Sequence, residues 1–411
     1  MPNRTHRTVS LLVAGALLAG PGLALAQDDA NDAPAPAPAP APGLTGGYED
    51  GRFSVASTDD RFSLSPSLLM QFRYILNYRD GGVGGDPDRS RTRDGLELTR
   101  VRVGADGHLY TNDLTYNVIL ASDPDLSVTA PAIGGGFNVL DAYVSWHGLA
   151  DLTITAGQFR EPLFREFSVG AGNQLAVERS LADTFIGGSS IGRVQGVSAS
   201  WHDGGPLRGI LALHEGARSN NTAYDVTPGG AGPSLRAEYM LIGDDWAGYE
   251  DFRAGNDEIL VVGGGFNWQR FDNADILYHT VDVQWNNPAD IFGLGVFAAL
   301  LGRYDDVDNM DSQYQLGLLA QAGYQLDDRI EVFGRYSVVC QDTDGNPMTA
   351  DVHEVTVGAN YYFAGPHAKV SADLNWLPRG ADNMASPAQG ILAHNTDDDQ
   401  IMLRVQLQLA H

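Results

Sequence analysis

Residues 400–409 read QIMLRVQLQL, and this stretch decides the fold class. Every second residue from Ile401 to Leu409 is large and apolar, whereas four of the five residues at the other positions are Gln or Arg. Successive side chains of a β-strand point to opposite faces of its sheet, so the stretch predicts a strand with one apolar and one polar face. Residues 354–363 repeat the alternation.

The same period of two recurs from about residue 60 to the C-terminus, and no long segment has the 3.6-residue period of a helix. Sixteen strands are predicted, at 62–76, 96–109, 114–121, 137–147, 151–159, 191–202, 207–216, 233–243, 258–270, 276–286, 291–304, 312–326, 329–340, 352–364, 367–377 and 400–409.

Two features favour a transmembrane barrel over a soluble sandwich, whose strands also alternate. Strands of about ten residues are long enough to cross a bilayer when tilted. Outer-membrane barrels also carry aromatic girdles near their strand ends, where this chain has Trp146, Trp201, Trp268, Trp285 and Trp376. The sequence therefore predicts an all-β fold, a transmembrane antiparallel β-barrel of 16 strands, wide enough for a water-filled lumen.

The N-terminal part predicts export of the chain. Residues 1–26 carry a basic head, an apolar stretch and a small-residue cleavage site, the pattern of a signal peptide. Residues 27–59 include an alternating Ala-Pro run and are predicted to be a flexible segment, either a disordered leader or a spacer across the periplasm. Residues 60–411 are assigned to the barrel.

Charge and cysteine content narrow the class of protein further. The chain has 26 basic and 52 acidic residues, a formal net charge of −26, and Lys369 is its one lysine. Such acidity argues against nucleic-acid binding. Cys340 is the one cysteine, so export without an internal disulfide indicates a bacterial protein. No cofactor or metal is expected, since no spaced Cys/His cluster is present.

The connections between strands differ in length. Three of them are short, at 148–151, 326–328 and 364–366. Five are long and acidic, at 80–94, 217–232, 244–257, 341–351 and 379–399. Outer-membrane barrels have short periplasmic turns and long outer loops, so we expect the long connections at the outer end.

The longest connection, residues 160–190, contains leucine, valine and phenylalanine side chains that need a surface to pack on. Long ordered loops are usually functional, and in a barrel the available surface is the wall of the lumen. We therefore expect a constriction loop that folds inward and brings three arginines beside three glutamates: Arg160, Arg165, Arg179, Glu161, Glu166 and Glu178.

Alternation also places arginines of the wall. Because Phe72 and Val101 belong to apolar faces, Arg73, Arg100 and Arg102 point into the lumen; on the lipid side each would cost about 2–4 kcal/mol at the midplane. Two interpretations stay open. The arginines either guide anions by bidentate hydrogen bonds, or they pair with carboxylates merely to hold the loop, the candidates being Glu97, Asp106, Glu161 and Glu166.

Four stretches carry a family resemblance: LELTRVRVGADGHLYTNDLTYNVIL at 96–120, GQFREPLFREFS at 157–168, NQLAVERSLADTF at 173–185 and IGRVQGVSASW at 191–201. They resemble the phosphate-selective porin O/P family of bacterial outer-membrane porins, and the resemblance extends over most of 60–411. It implies a sixteen-stranded channel in outer-membrane lipid, usually a homotrimer, that passes small anions.

The chain departs from that family's pattern in two places. Members known for phosphate uptake line the pore with lysine and arginine, whereas this chain has only one lysine, Lys369. Many outer-membrane barrels end in an aromatic residue, whereas this one ends LQLAH.

Three functions therefore remain open. The first is an outer-membrane porin for passive diffusion of small hydrophilic solutes, leaning to anions such as phosphate. The second is a general or cation-leaning porin, which the negative net charge favours. The third is a plugged, structural barrel that tethers the envelope. An enzyme is not expected, because no serine–histidine or paired-carboxylate arrangement stands out.

Overall fold

The computed structural model describes residues 43–49, 52–79, 92–123, 136–223, 232–253, 257–271, 273–287, 293–342, 351–379, 386, 389–392 and 399–411. The signal peptide, the Ala-Pro run and parts of the long acidic connections lie outside the described residues.

Eighteen strands are described. They are β1 (Leu44–Glu49), β2 (Arg52–Ser57), β3 (Ser63–Arg79), β4 (Thr92–Leu109), β5 (Thr111–Ala121), β6 (Asn138–Leu149), β7 (Leu152–Arg160), β8 (Arg193–His202), β9 (Leu207–His214), β10 (Gly232–Ile242), β11 (Ile259–Phe271), β12 (Ala274–Asn286), β13 (Leu294–Val307), β14 (Gln313–Gln325), β15 (Ile330–Asp342), β16 (Val352–Ala364), β17 (Ala368–Leu377) and β18 (Gln400–Ala410).

Strands β3 to β18 form a closed antiparallel barrel of sixteen strands. Each pairs with its neighbour in the sequence, and β18 pairs with β3 from Gln400 opposite Arg79 to Ala410 opposite Leu69. The predicted fold is confirmed, and the sixteen strands coincide with the sixteen segments of alternating sequence, with ends shifted by a few residues.

The two faces of the wall are those that the alternation predicted. In β18, Ile401 and Leu403 are each 38% exposed on the outside, whereas Gln400 and Arg404 are almost completely buried within the barrel. Large apolar side chains cover the outer surface in the same way on the other strands. The wall therefore has an apolar outside and a polar inside.

The first two strands correct the sequence interpretation. The sequence predicts a flexible segment at 27–59, of which 27–42 lies outside the described residues. In the described part, β1 and β2 form a hairpin with Tyr48 opposite Phe53. β2 then pairs briefly with β3, Val55 opposite Leu64. The hairpin therefore lies at the end of the barrel that carries the C-terminus, which we call the terminal end.

Helical structure is limited to short segments between strands. Three helices, α1 (Arg165–Ser168), α2 (Leu181–Phe185) and α3 (Gly188–Ile191), lie between β7 and β8. Single 3₁₀ turns occur at Ala171–Asn173 and Trp246–Tyr249. Among the described residues no helix has the length and apolar character needed to cross a membrane.

One long connection lies at the end opposite to the one expected. Because successive strands run antiparallel, the connection after β10 is at the terminal end, together with the short turns after β6, β14 and β16. The described residues of this connection, 244–253, therefore do not join the long outer loops. Part of this segment folds inward, since Tyr249 is 0% and Phe252 2% exposed.

Candidate functional site

The constriction loop, residues 161–192, folds into the barrel as its apolar content predicts. Leu163, Phe164, Leu181 and Ile186 are at most 1% exposed and belong to the main apolar cluster of the protein. That cluster also includes wall residues from β13 to β18. The loop is thus packed against the far wall and does not hang freely in the lumen.

The stretch GQFREP forms the entry to this loop. Gly157 has φ +136°, and a Cβ atom there would lie 2.3 Å from the carbonyl oxygen of Ala142. Glycine tolerates both conditions, since it has no Cβ. At the end of β7 the Arg160 guanidinium donates to the carbonyl of Ser168 at 2.5 Å, which fixes the first bend of the loop.

Backbone and side-chain hydrogen bonds anchor the loop to distant strands. The N–H groups of Val177, Leu181 and Ala182 donate to Asp373, Glu354 and Ser337, at 3.1, 2.9 and 3.0 Å. The Nζ of Lys369 donates to the carbonyl of Gln174 at 2.7 Å and is thereby placed behind the loop. The one lysine therefore serves as an anchor of the loop.

Two of the predicted lumenal arginines converge on a single carboxylate. Glu178 accepts from Arg73 at 2.5 Å through Oε1 and from Arg100 at 2.8 Å through Oε2. Burial alone would raise its pKa, but the two guanidinium groups hold the pKa of Glu178 well below its usual value. The carboxylate therefore stays ionised and ties the loop to β3 and β4.

Of the carboxylates considered in the sequence, Glu97 pairs with one of these arginines, and the other partners were not anticipated. Arg102 pairs with Asp123 through Nε at 3.0 Å and through a second short contact. Arg193, whose direction the alternation left open, faces Asp141 at 3.2 Å. Of the four expected carboxylates, Glu97 lies 3.7 Å from Arg73, whereas Asp106 pairs with Arg52.

A cavity of about 760 Å³ opens between the loop and the wall. Seven charged residues line it among those described: Arg100, Arg102, Arg179, Arg193, Arg218, Asp123 and Glu178. Five positive charges therefore face two negative ones. Neutral hydrogen-bonding side chains also line it: Asn138, Thr184, Ser189, Asn220, Asn221, Ser386 and Gln389.

An aromatic ring lies at the centre of the positive group. The guanidinium carbons of Arg160, Arg179 and Arg193 lie 5.5, 5.2 and 5.6 Å from the centroid of Phe167. A ring face attracts cations and separates them from one another. Phe167 thus allows three arginines to share a small space.

The other predicted site residues hold the loop rather than line the cavity. Glu161, fully buried, accepts from Leu163 N–H at 3.0 Å and from the Ser234 hydroxyl at 2.6 Å. Glu166 accepts from both the N–H and the hydroxyl of Ser180, at 2.8 and 2.6 Å. Burial, together with nearby Asp183, raises the pKa of Glu166 to about 7.

The constriction loop meets the inward part of residues 244–253 inside the barrel. The guanidinium of Arg165 lies 3.5 Å from the centroid of Tyr249 and 5.8 Å from that of Phe252. Its Nε donates to Gln284 at 3.1 Å. Two inward segments, one from each end of the barrel, therefore touch at Arg165.

Of the eight predicted residues, Arg100, Arg102 and Arg179 come together at the cavity. Arg73 and Arg160 lie behind them, and Arg165, Glu161 and Glu166 lie elsewhere in the loop packing. The sequence missed Arg218 and two asparagines, which reach the cavity from the connection after β9: Asn220 and Asn221. No pattern in that connection marked them. Among the described residues no cluster of His, Cys, Asp or Glu could hold a metal ion.

The barrel is similar to solved structures. An anion-selective porin from Comamonas acidovorans aligns with TM-score 0.60 at 15% identity, over 85% of this chain and 100% of its own. The chain has a porin fold. OprB of Pseudomonas putida aligns with TM-score 0.55 at 11% identity, over 86% of this chain and 95% of its own. The trimer form of OmpT, an outer membrane protein of Vibrio cholerae, aligns with TM-score 0.53 at 14% identity, over 84% and 99%.

No protein-family model matches the chain. No curated protein matches it in sequence either. At these identities the porin fold is what the similarity shows, and the chemistry of the lumen has to be argued from this chain's own residues.

Proposed function

We propose that the protein is a bacterial outer-membrane porin, a water-filled channel for passive diffusion of small hydrophilic solutes that favours anions. An apolar outer surface suits lipid, and a polar interior suits water. The observation that carries the anion preference is the cavity beside the constriction loop, where five arginines face two carboxylates. Rings of charged side chains set the selectivity of a pore.

The negative net charge of the chain does not oppose this preference. The chain as a whole carries −26, yet the described lining of the cavity carries +3, counting Arg as +1 and Glu or Asp as −1. A solute experiences the charges nearest to it most strongly, because salt screens those more than about 10 Å away at 0.1 M. Acidic loops at the rim and a positive constriction are therefore compatible.

Phosphate is the finer proposal within this function. The four stretches that resemble the phosphate-selective porin O/P family include the loop and the strands that supply Arg100, Arg102, Arg179 and Arg193. Arginine binds phosphate oxygens in a bidentate way without lysine. The anion-selective porin from Comamonas acidovorans has a similar fold, which supports anions as the solute class.

The test is the reversal potential of the purified protein in a planar bilayer under a KCl gradient, repeated with phosphate present. We expect a chloride-selective current that phosphate blocks. Arg102→Gln and Arg218→Gln should each weaken both effects, whereas Arg329→Gln, in an exposed turn at the terminal end, removes the same charge and should leave them unchanged. A cation-selective current indifferent to phosphate would contradict the proposal.

A second candidate, the plugged structural barrel, rests on the contact between the two inward segments. Arg165 on Tyr249 joins the constriction loop to residues 244–253 across the lumen. If well-folded protein passes no current, this candidate replaces the channel.

The cellular setting belongs to the same proposal. A cleaved signal peptide at 1–26 delivers the chain to the envelope, and the barrel sits in outer-membrane lipid as a homotrimer. A trimer form is known for the similar OmpT structure. N-terminal sequencing of the exported protein and its mass in detergent test these two points.

A further inference from the structure

The N-terminal hairpin continues the barrel wall at the place where the first and last strands meet. β18 ends with Ala410 opposite Leu69 of β3. Further along the same edge of β3, towards the terminal end, β2 pairs with β3 in place of β18, with Val55 opposite Leu64. The hairpin thus extends the sheet beyond the C-terminus.

The hairpin has one apolar and one polar face. Directly opposed residues of an antiparallel pair share a face, so Tyr48 and Phe53 lie together with Val55. Val55 pairs with Leu64, which shares the outward face of β3 with Leu68. The apolar face of the hairpin is therefore continuous with the outer surface of the barrel.

The polar face points the other way. Arg52, which follows the opposite alternation to Phe53, reaches the inward side of β4 and donates to Asp106 at 2.6 Å. This ion pair fixes which face of the hairpin is turned outward.

The outward face is more exposed than the barrel wall that it continues. Leu44, Tyr48 and Phe53 are 69%, 63% and 54% exposed, whereas Leu407 and Leu409 of β18 are 43% and 42%. An apolar surface of this kind on a structured hairpin indicates a partner.

The aromatic residues of the hairpin also cover the last residue of the chain. The ring centroid of His411 lies 5.0 Å from that of Phe53 and 6.2 Å from that of Tyr48. The Phe53 N–H donates to His411 Nε2 at 3.4 Å. Tyr48 and Phe53 of the hairpin therefore lie on the outward surface beside His411.

We propose that the hairpin 44–57 is a membrane-interface anchor whose partner is the lipid headgroup and upper acyl-chain region at the terminal end. Tyrosine and other aromatic side chains favour this region, because their rings are apolar and their polar groups can contact water. The hairpin supplies the part of the aromatic girdle that β18 lacks at its end. This inference rests on the proposed location in a membrane.

The experiment uses the full exported chain in liposomes, with Cys340→Ser as background and single cysteines labelled with a small environment-sensitive fluorophore. Labels are placed by Phe53→Cys on the apolar face of the hairpin and by Ser54→Cys on its polar face. Leu409→Cys reports the barrel wall. Lipids brominated near the top of the acyl chain serve as quenchers.

We expect the label at 53 to lose as much fluorescence as the label at 409, while the label at 54 loses little. Quenching at 409 without quenching at 53 overturns the anchor and leaves the membrane location intact. No quenching at 409 overturns the membrane location itself. Strong coupling between labels at 53 of neighbouring copies, without lipid quenching, means that the face binds a second copy, and this also overturns the proposal.

Discussion

Replacement of Glu178 by glutamine tests both the electrostatics of the cavity and the anchoring of the loop. Glu178 lines the cavity, is 5% exposed, and accepts from two buried arginines, Arg73 and Arg100. Glutamine keeps the size of the side chain but removes its charge and one of its two acceptor oxygens.

The change in selectivity follows from the size of the cavity. A sphere of 760 Å³ has a radius of about 6 Å, so an ion at its centre interacts with a wall charge by about 0.7 kcal/mol in water. Screening at 0.1 M salt lowers this to roughly 0.4 kcal/mol. The loss of one negative charge favours chloride and disfavours potassium by this amount, so their permeability ratio should rise about three- to fourfold.

The stability should change in the unfavourable direction. Removing one partner of a buried ion pair typically costs about 3–5 kcal/mol, because a charge is left uncompensated. Arg73 keeps Gln406 and Arg100 keeps Gln71 as neutral acceptors, at 2.7 and 2.8 Å. We therefore expect a loss of about 3 kcal/mol in the free energy of unfolding, at the lower end of that range.

Reversal potential under a KCl gradient measures the first effect, and denaturant unfolding in detergent measures the second. Asp151→Asn is the matched control, since Asp151 lies in an exposed turn at the terminal end and asparagine accepts its positive φ of 65°. Equal reversal potentials for the Glu178 and Asp151 variants would refute the idea that ions pass the arginine-lined cavity.

Three further predictions concern the loop and its contacts. Because the pKa of Glu166 is raised to about 7, its contribution to folding stability is fully present below about pH 4.5 and is lost as pH rises through about 7. In Glu166→Gln the free energy of unfolding should therefore depend less on pH over this range, and an unchanged pH dependence would contradict the prediction. Tyr249→Leu removes a cation–π contact worth about 2 kcal/mol when desolvated, so single-channel conductance should increase or fluctuate, unlike in the outward-facing control Tyr304→Leu. Gly157→Ala should lower stability by more than about 1 kcal/mol, whereas Gly209→Ala, whose Cβ has 3.5 Å to the nearest atom, should not; similar unfolding midpoints would argue against a strained loop entry.

The wall of the barrel was predictable because its signal is local. Alternation within one strand assigns Arg73 and Arg404 to the lumen without knowledge of any other strand. The inward fold of the loop was predictable for a similar reason. A connection this long with apolar side chains such as Leu163 and Phe164 needs a surface that shields them from water.

The pairing of charges was not predictable, because it depends on which wall positions the loop reaches. Glu97 lies near Arg73 as considered, but Glu178 and Asp123 are the closer partners of the arginines, whereas Glu161 and Glu166 bind hydroxyl and N–H groups. The hairpin was missed because strands of six residues, with Gly46 and Gly47 in one of them, show no clear alternation. Residues 244–253 lie at the terminal end because an even number of barrel strands, β3 to β10, precedes them. Their composition does not indicate this position.

The anchors of the constriction loop have a consequence for the order of assembly. Val177 binds Asp373, Leu181 binds Glu354 and Ala182 binds Ser337, contacts separated by 196, 173 and 155 residues along the chain. Contacts this distant form late, because the loop-closure entropy has to be offset first. The loop is synthesised well before the strands that hold it, so it acquires its docking surface only when β15 to β17 have joined the sheet. A barrel that fails to close would carry an undocked, apolar loop, and the seated loop is thus a mark of completed assembly.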